Sequence, residues 1–350
     1  MKLISSNENI LINHVHVQKR ILGIEILRMF LCFRIVLLHY YSSDNKYILK
    51  MKKNKFQVPC FFFISFYFFY PIISETNFKK FKLRLERLLI PYIIYPIMVW
   101  IISNLMFLIF KFNRFNRLLT LRELILNLLV GKGIFGIGVL WFHFNLIILT
   151  VLFFIFAYIL KADFLLIFQV ISSISLIVQY SKINYHFFKQ YKINISMPIG
   201  NLVETLTIAI FAFTSYSNNT FKLLLKDRKK NIFFSCFFLH LIYKYEIFSN
   251  LYGYSSTGIK QNISSFLLFS VFILIPFEKL NSKLIIFIHQ ITKYTQGIYC
   301  LHFLIQYYLK LKFDKNGSFI GVIVLYAISY FFAFIGFKTF YKTKLKFLFS

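Results

Sequence analysis

Runs of about 20 apolar residues recur along this 350-residue chain from about residue 21 to its C-terminal region. No other feature restricts the fold as strongly, because about 20 apolar helical residues are what it takes to cross a hydrocarbon layer of about 30 Å. Such windows fall near residues 21–41, 56–75, 88–110, 134–160, 164–180, 195–215, 231–250, 263–278, 286–309 and 318–340. Two are imperfect: the segment at 164–180 is short, and the one at 286–309 is interrupted by Thr292, Lys293 and Thr295. The residues are 58% hydrophobic with a mean hydropathy of +0.67, against roughly 45–50% apolar content in soluble domains. A water-soluble core cannot absorb that excess. The expected fold is all-α, a polytopic membrane bundle of about ten transmembrane helices. A cytoplasmic N-terminal tail covers residues 1–20, one membrane domain covers 21–341, and a short C-terminal tail covers 342–350. The first twenty residues include Asn7, Glu8 and Asn9 and lack the apolar core of a signal peptide, so the first apolar run is retained as a helix.

The net charge of +29 arises from 41 Lys and Arg against 12 Asp and Glu. A balance so basic raises the question of nucleic acid. These residues, however, mostly occupy short connections between apolar runs, such as Lys79, Lys80, Lys82, Arg84 and Arg87, or Lys226, Arg228, Lys229 and Lys230. Phospholipid headgroups account for them. The basic loops divide almost evenly between the two sides, and the stretch Lys46 to Lys55 opposes the rest, so charge leaves the orientation unset. Between Arg114 and Val130, Arg117, Arg122 and Glu123 stand among leucines. An amphipathic interfacial helix and a plain loop fit this segment equally.

Cys32, Cys60, Cys236 and Cys300 lie within apolar runs without CxxC or Cys/His spacing, so neither a disulfide framework nor a zinc site is expected. His14, His16, His186, His240 and His289 match no motif, and Glu204 is a lone carboxylate in an apolar run, with Lys244 as one candidate partner.

An ionisable side chain within the bilayer costs a few kcal/mol or more, so those inside apolar runs mark function first. The first run holds the densest set: Glu25, Arg28, Arg34 and His39. Arg28 and His39 are eleven residues apart, which places them about 20° apart around a helix and roughly 16 Å along it. They share a face. Glu25, three residues before Arg28, is near enough for an intrahelical ion pair. Two readings compete: neutralised residues in the two headgroup layers, or a polar track along one helix face with a base at one end.

Five blocks bear on the choice. Gly23-Ile-Glu-Ile-Leu-Arg28 precedes Leu38-His39. Val58-Pro-Cys-Phe-Phe-Phe-Ile-Ser-Phe-Tyr67 follows, then Arg84-Leu-Glu-Arg87-Leu-Leu-Ile-Pro-Tyr92, Val139-Leu-Trp-Phe142 and Gly297-Ile-Tyr-Cys-Leu-His302. In this order and spacing they resemble acyltransferase family 3, integral membrane O-acyltransferases that modify cell-surface sugars and related acceptors. Two positions depart from the family pattern. Phe66 stands in place of a glycine, where it fills space between helices or against a substrate, and His143 follows the Leu-Trp-Phe block in place of a neutral residue.

The resemblance implies transfer of an acyl group, acetyl foremost, from acyl-CoA as co-substrate to a hydroxyl of a carbohydrate or lipid-linked acceptor, with no permanently bound cofactor or metal. O-acylation requires a base for the hydroxyl proton and a donor for the developing oxyanion. A histidine titrating near neutrality suits the first task. By resemblance His39 is the base or a transient acyl carrier, Arg28 holds an anionic part of the donor, and Glu25 orients Arg28. Arg84 and Arg87, one helical turn apart, face the coenzyme A phosphates from the cytoplasmic side. Ser65, Tyr67, Trp141 and His302 are either packing residues or pocket lining. Membrane lipids are the other expected partners, and the plasma membrane is the expected location. Intramembrane charges also mark transport paths, so a transporter or flippase of a lipid-linked or polyanionic substrate is the alternative.

Overall fold

The structure is a computed structural model, and it describes residues 4–40, 57–111, 117–131, 140–161, 166–167, 170, 197–217, 257–275, 280–313 and 319–349. The expected window at 164–180 apart from 166–167 and 170, the window at 231–250, the Lys46–Lys55 stretch and the side chains of Glu204 and Lys244 lie outside the described residues. Among those described the chain is helical, with no strand. The helices are α1 (Ile4–Tyr40), α2 (Gln57–Tyr67), α3 (Tyr70–Ser74), α4 (Phe78–Phe110), α5 (Leu121–Val130) and α6 (Leu140–Leu160). They continue as α7 (Met197–Ser217), α8 (Thr257–Leu274), α9 (Ser282–Thr292), α10 (Thr295–Phe313) and α11 (Phe319–Thr339), ending in a 3-10 turn at Lys344–Leu348.

The all-α expectation holds among the described residues. Among the described residues four segments are long and apolar enough to cross a membrane: Gln57–Ser74, Phe78–Phe110, Trp141–Leu160 and Ile320–Thr339. The window at 286–309 is two helices. Lys293 N–H bonds back to His289 O, and Thr295 Oγ1 donates to Thr292 O at 2.7 Å, so the polar interruption ends α9 and starts α10. The window at 88–110 is the later part of α4, whose 33 residues extend about 50 Å, longer than a hydrocarbon core. Its opening turns hold exposed Lys79, Lys80 and Lys82 where a headgroup layer would lie. Large apolar residues such as Leu105, Ile109 and Phe110 of α4 and Phe331 and Phe332 of α11 face outward.

The segment before Val130 is a helix and not a plain loop. Thr120 and Glu123 form a reciprocal capping box at the start of α5, and Gly131 ends it in the left-handed conformation. Leu124 is buried while Leu121, Ile125, Leu126 and Leu129 are exposed, the face an interfacial helix presents. Tyr92 of α4 bonds through its hydroxyl to Leu128 O and ties α5 down. The hydrogen-bonded pair with Arg117, reinforced by the Thr120 backbone N–H, holds the Glu123 carboxyl down to about 2, against about 4.3 for a free glutamate. A depressed folded-state value stabilises the cap above about pH 4 and loses that contribution as pH falls through 2. A carbon-13 titration of the Glu123 carboxyl should therefore find its midpoint near 2, moving toward 4 in Arg117→Ala.

Helix directions follow from a few contacts. Phe81 stacks on Phe154 at 4.0 Å, Arg84 Nε reaches Thr150 Oγ1 at 3.4 Å, and Tyr92 meets Phe144 at 6.2 Å, so α4 and α6 are antiparallel. Thr292, just before α10, donates to Glu25 at 3.2 Å, while Gln306 of α10 donates to His39 O at 2.6 Å, so α10 runs parallel to α1. One core lies between α2, α6, α7 and α8, where Phe62, Phe63, Phe66, Phe69, Phe153, Phe213 and Phe269 are fully buried. Helices in lipid gain little from hydrophobicity towards one another, so such interfaces depend on close packing. Edge-to-face rings such as Phe66 against Phe153 (5.7 Å) and Phe213 (5.9 Å) supply it.

Phe66 thus sits inside the helix core. A second core joins α1, α10, α11 and the C-terminal turn. The residues expected as a C-terminal tail are packed into it. Phe347, Leu348 and Phe349 are buried, Lys344 pairs with Glu86 at 2.7 Å, and Tyr95 donates to Leu348 O. Gly297 admits this strap, since a Cβ there would lie 2.8 Å from Ala333 Cβ and 2.9 Å from Phe349 O.

Candidate active site

A cavity of about 440 Å³ opens among α1, α2, α4, α6 and α10, within the range of sites that hold small molecules and cofactors. Arg28, Arg84 and Arg87 all line it, together with Glu25, Ser65, His143, Gln296 and Tyr299. Helical periodicity brings Glu25 and Arg28 to one face of α1, and Arg84 and Arg87 to one face of α4. The antiparallel pairing of α4 with α6, and the return of α2 through α3 into α4, then set the two arginine faces across one space.

Each guanidinium is held differently. Arg84 donates through Nη2 to Ser65 Oγ at 2.8 Å and through Nε to Thr150 Oγ1 at 3.4 Å, and it lies 4.3 Å over the Phe69 ring. Arg87 lies 5.4 Å over Phe347 of the C-terminal strap, so the strap meets the cavity wall. Arg28 takes no ion-pair partner among the described residues. Glu25, expected to pair with it, instead pairs through Oε2 with His289 Nδ1 of α9 and accepts from Thr292 Oγ1 at 3.2 Å. The carboxylate is thereby engaged at the edge of the site. Three guanidiniums remain facing one cavity, and neutral hydroxyls anchor one of them. Such a space favours a polyanion, and the planar guanidinium fork suits phosphate or carboxylate oxygens.

The remaining residues named from the sequence lie elsewhere. His39 is exposed, is not part of the cavity lining among the described residues, and faces His302 at 5.7 Å between ring centroids. His302 is completely buried, with Nδ1 3.2 Å from Ile298 O, and its ring is 6.0 Å from Tyr299. Tyr67 packs among Phe63, Tyr216 and Phe269, and Trp141 lies 5.9 Å from Phe62. Neither Tyr67 nor Trp141 lines the cavity. The Arg28-to-His39 face of α1 therefore begins in the cavity and ends beside His302.

Sequence reasoning missed His289, Gln296 and Tyr299 as parts of this region and took His143 only as a departure from a pattern. His143 is 2% exposed, lines the cavity and has Nε2 3.4 Å from Gln296 Nε2. Its place in an apolar run was the available signal, as a costly polar group in that setting. No curated protein and no solved structure matches the chain. The family model of the acyltransferase domain matches residues 21–340, nearly the whole chain, and with the arginine-lined cavity inside that span the protein belongs to the acyltransferase 3 family and is an acyltransferase.

Proposed function

We propose that the protein transfers an acyl group, acetyl foremost, from acyl-CoA to a hydroxyl of a carbohydrate or lipid-linked acceptor at the plasma membrane. The observation that carries this reading is the convergence of Arg28, Arg84 and Arg87 on one cavity whose carboxylate, Glu25, is already engaged by His289. Coenzyme A carries several phosphates at one end and a thioester at the other. Arg84 and Arg87 bind the phosphates, and Arg28 holds the donor further along the cavity. The thin pantetheine arm carries the thioester along the Arg28–His39 face, a distance of roughly 16 Å.

His39 takes the acceptor hydroxyl proton as the oxygen attacks the thioester carbonyl. The acceptor O–H and the thioester C–S bonds break, the ester C–O bond forms, and the proton ends on the thiol of coenzyme A. In the acyl-carrier form of the same chemistry, an imidazole nitrogen of His39 attacks first and the acceptor oxygen second, with the same overall balance.

Membranes carrying the chain, given labelled acetyl-CoA, test this. His39→Ala should lower incorporation by about 10²-fold or more, the scale of a lost general base, and Arg28→Ala by about 10²-fold, the scale of a misplaced bound donor. Equal incorporation by wild type and both variants would sink the proposal.

A further inference from the structure

Three aromatic rings, Phe61, Phe142 and Tyr299, form part of the cavity wall. On α2 the lining residues run from Phe61 to Ser65, with Phe68 just past its end, and Ser65 is bonded to Arg84. On α6 they run from Phe142 to Leu146, with Thr150, which meets Arg84, one turn further on. On α10 they run from Thr295 to Tyr299, and His302 lies one turn beyond Tyr299 beside His39. In α2 and α6, whose Ser65 and Thr150 meet Arg84, the lining residues at the opposite end are Phe61 and Phe142, and Tyr299 of α10 packs against both.

These rings meet one another. Phe61 and Phe142 are 6.2 Å apart, Phe142 and Tyr299 5.7 Å, and Phe61 and Tyr299 6.3 Å. Two of the angles between ring planes, 69° and 63°, are edge-to-face, the arrangement aromatic pairs prefer. Phe62 backs Phe142 at 4.6 Å and fixes it from behind. The three rings therefore pack together in the cavity wall, and Tyr299 among them is the one that touches His302, the neighbour of His39.

We propose that Phe61, Phe142 and Tyr299 form a selectivity gate that an acyl thioester passes to reach His39, restricting the donor to narrow, unbranched acyl groups. The proposal rests on the acyl-CoA reading above. Phosphates stay among the arginines on one side of the rings, and the thioester goes through. Rings can part for the linear β-alanyl-cysteamine end of the pantetheine arm and a small acyl group, while the dimethyl carbon of the arm stays with the phosphates on the arginine side. A branched acyl group must displace at least one ring from packing that holds the bundle together. A misfit of one methylene-sized group in an apolar site discriminates by about 10–200-fold.

The test presents labelled acetyl-CoA and isovaleryl-CoA in competition to membranes carrying the full chain, with coenzyme A binding measured separately as a thermal shift of the solubilised protein. Wild type should prefer acetyl by at least about tenfold, and Phe61→Ala and Phe142→Ala should shrink that preference about tenfold. Phe61→Leu and Phe142→Leu keep most of the bulk and should shift the ratio in the same direction to a smaller extent. They decide the matter if the alanine forms do not fold. Coenzyme A binding with an unchanged ratio in every folded variant overturns the gate and leaves the donor reading standing. Absence of both binding and transfer in wild type overturns the two together.

Discussion

Arg84→Ala is expected to lower acyl transfer by about two orders of magnitude, the cost of misplacing a bound group by about 1 Å, and Arg84→Lys is not expected to restore it. The planar guanidinium reaches Ser65 with one nitrogen and Thr150 with another while its Cζ lies over the Phe69 ring. A lysine ammonium supplies charge but not this fork or this stacking. Because both neighbours of Arg84 are neutral hydroxyls, its charge stays available to a ligand and its position is set by geometry. Incorporation of labelled acyl groups by membranes holding equal amounts of protein measures the effect. The donor KM should rise in both variants, and a lysine form with wild-type KM and rate would refute the assignment.

Phe66→Gly, which restores the residue of the family pattern, is expected to destabilise the protein and to leave the cavity no wider. The ring is fully buried, stacks on Phe62 at 6.4 Å and meets Phe153 and Phe213 edge-on. It is absent from the cavity lining, which takes Phe61, Ile64 and Ser65 from α2 and Phe68 just past its end. Loss of a buried Phe side chain costs about 3–5 kcal/mol, and a mid-helix glycine adds about 1 kcal/mol. Thermal unfolding in detergent should show a large fall for glycine and a smaller one for Phe66→Leu. A melt of Phe66→Gly indistinguishable from wild type would show that the ring is not part of the packing described. The substitution at residue 66 is thus a matter of helix packing, compensated by the phenylalanines around it, and it does not block the site.

Some of the site was legible before any fold was known. Helix periodicity alone puts Arg28 and Glu25 on one face of α1 and Arg84 beside Arg87 on α4, and the structure places all four around one cavity. The same arithmetic placed His39 on the Arg28 face but said nothing of how far the cavity extends along it. Glu25 shows the limit most clearly. Spacing offered Arg28 as its partner, whereas the bundle supplies His289, distant in sequence and silent in every motif. The break at Thr292–Thr295 was visible as a polar interruption, but not that it ends one helix and begins the one that carries Gln296, Tyr299 and His302.

Hydropathy and residue spacing suffice to show that the chain is helical and apolar enough for a membrane, which residues share a face on each helix, and which ordered motifs mark the family. Those properties are local, because hydropathy and a period of 3.6 residues refer to a single helix. Only packing brings three arginines to one cavity, turns Glu25 to His289, and sets the rings of Phe61, Phe142 and Tyr299 against one another. Such choices depend on how helix surfaces interlock, and where lipid and helix are nearly equally apolar, close packing and a few hydrogen bonds select among arrangements that hydropathy leaves equivalent.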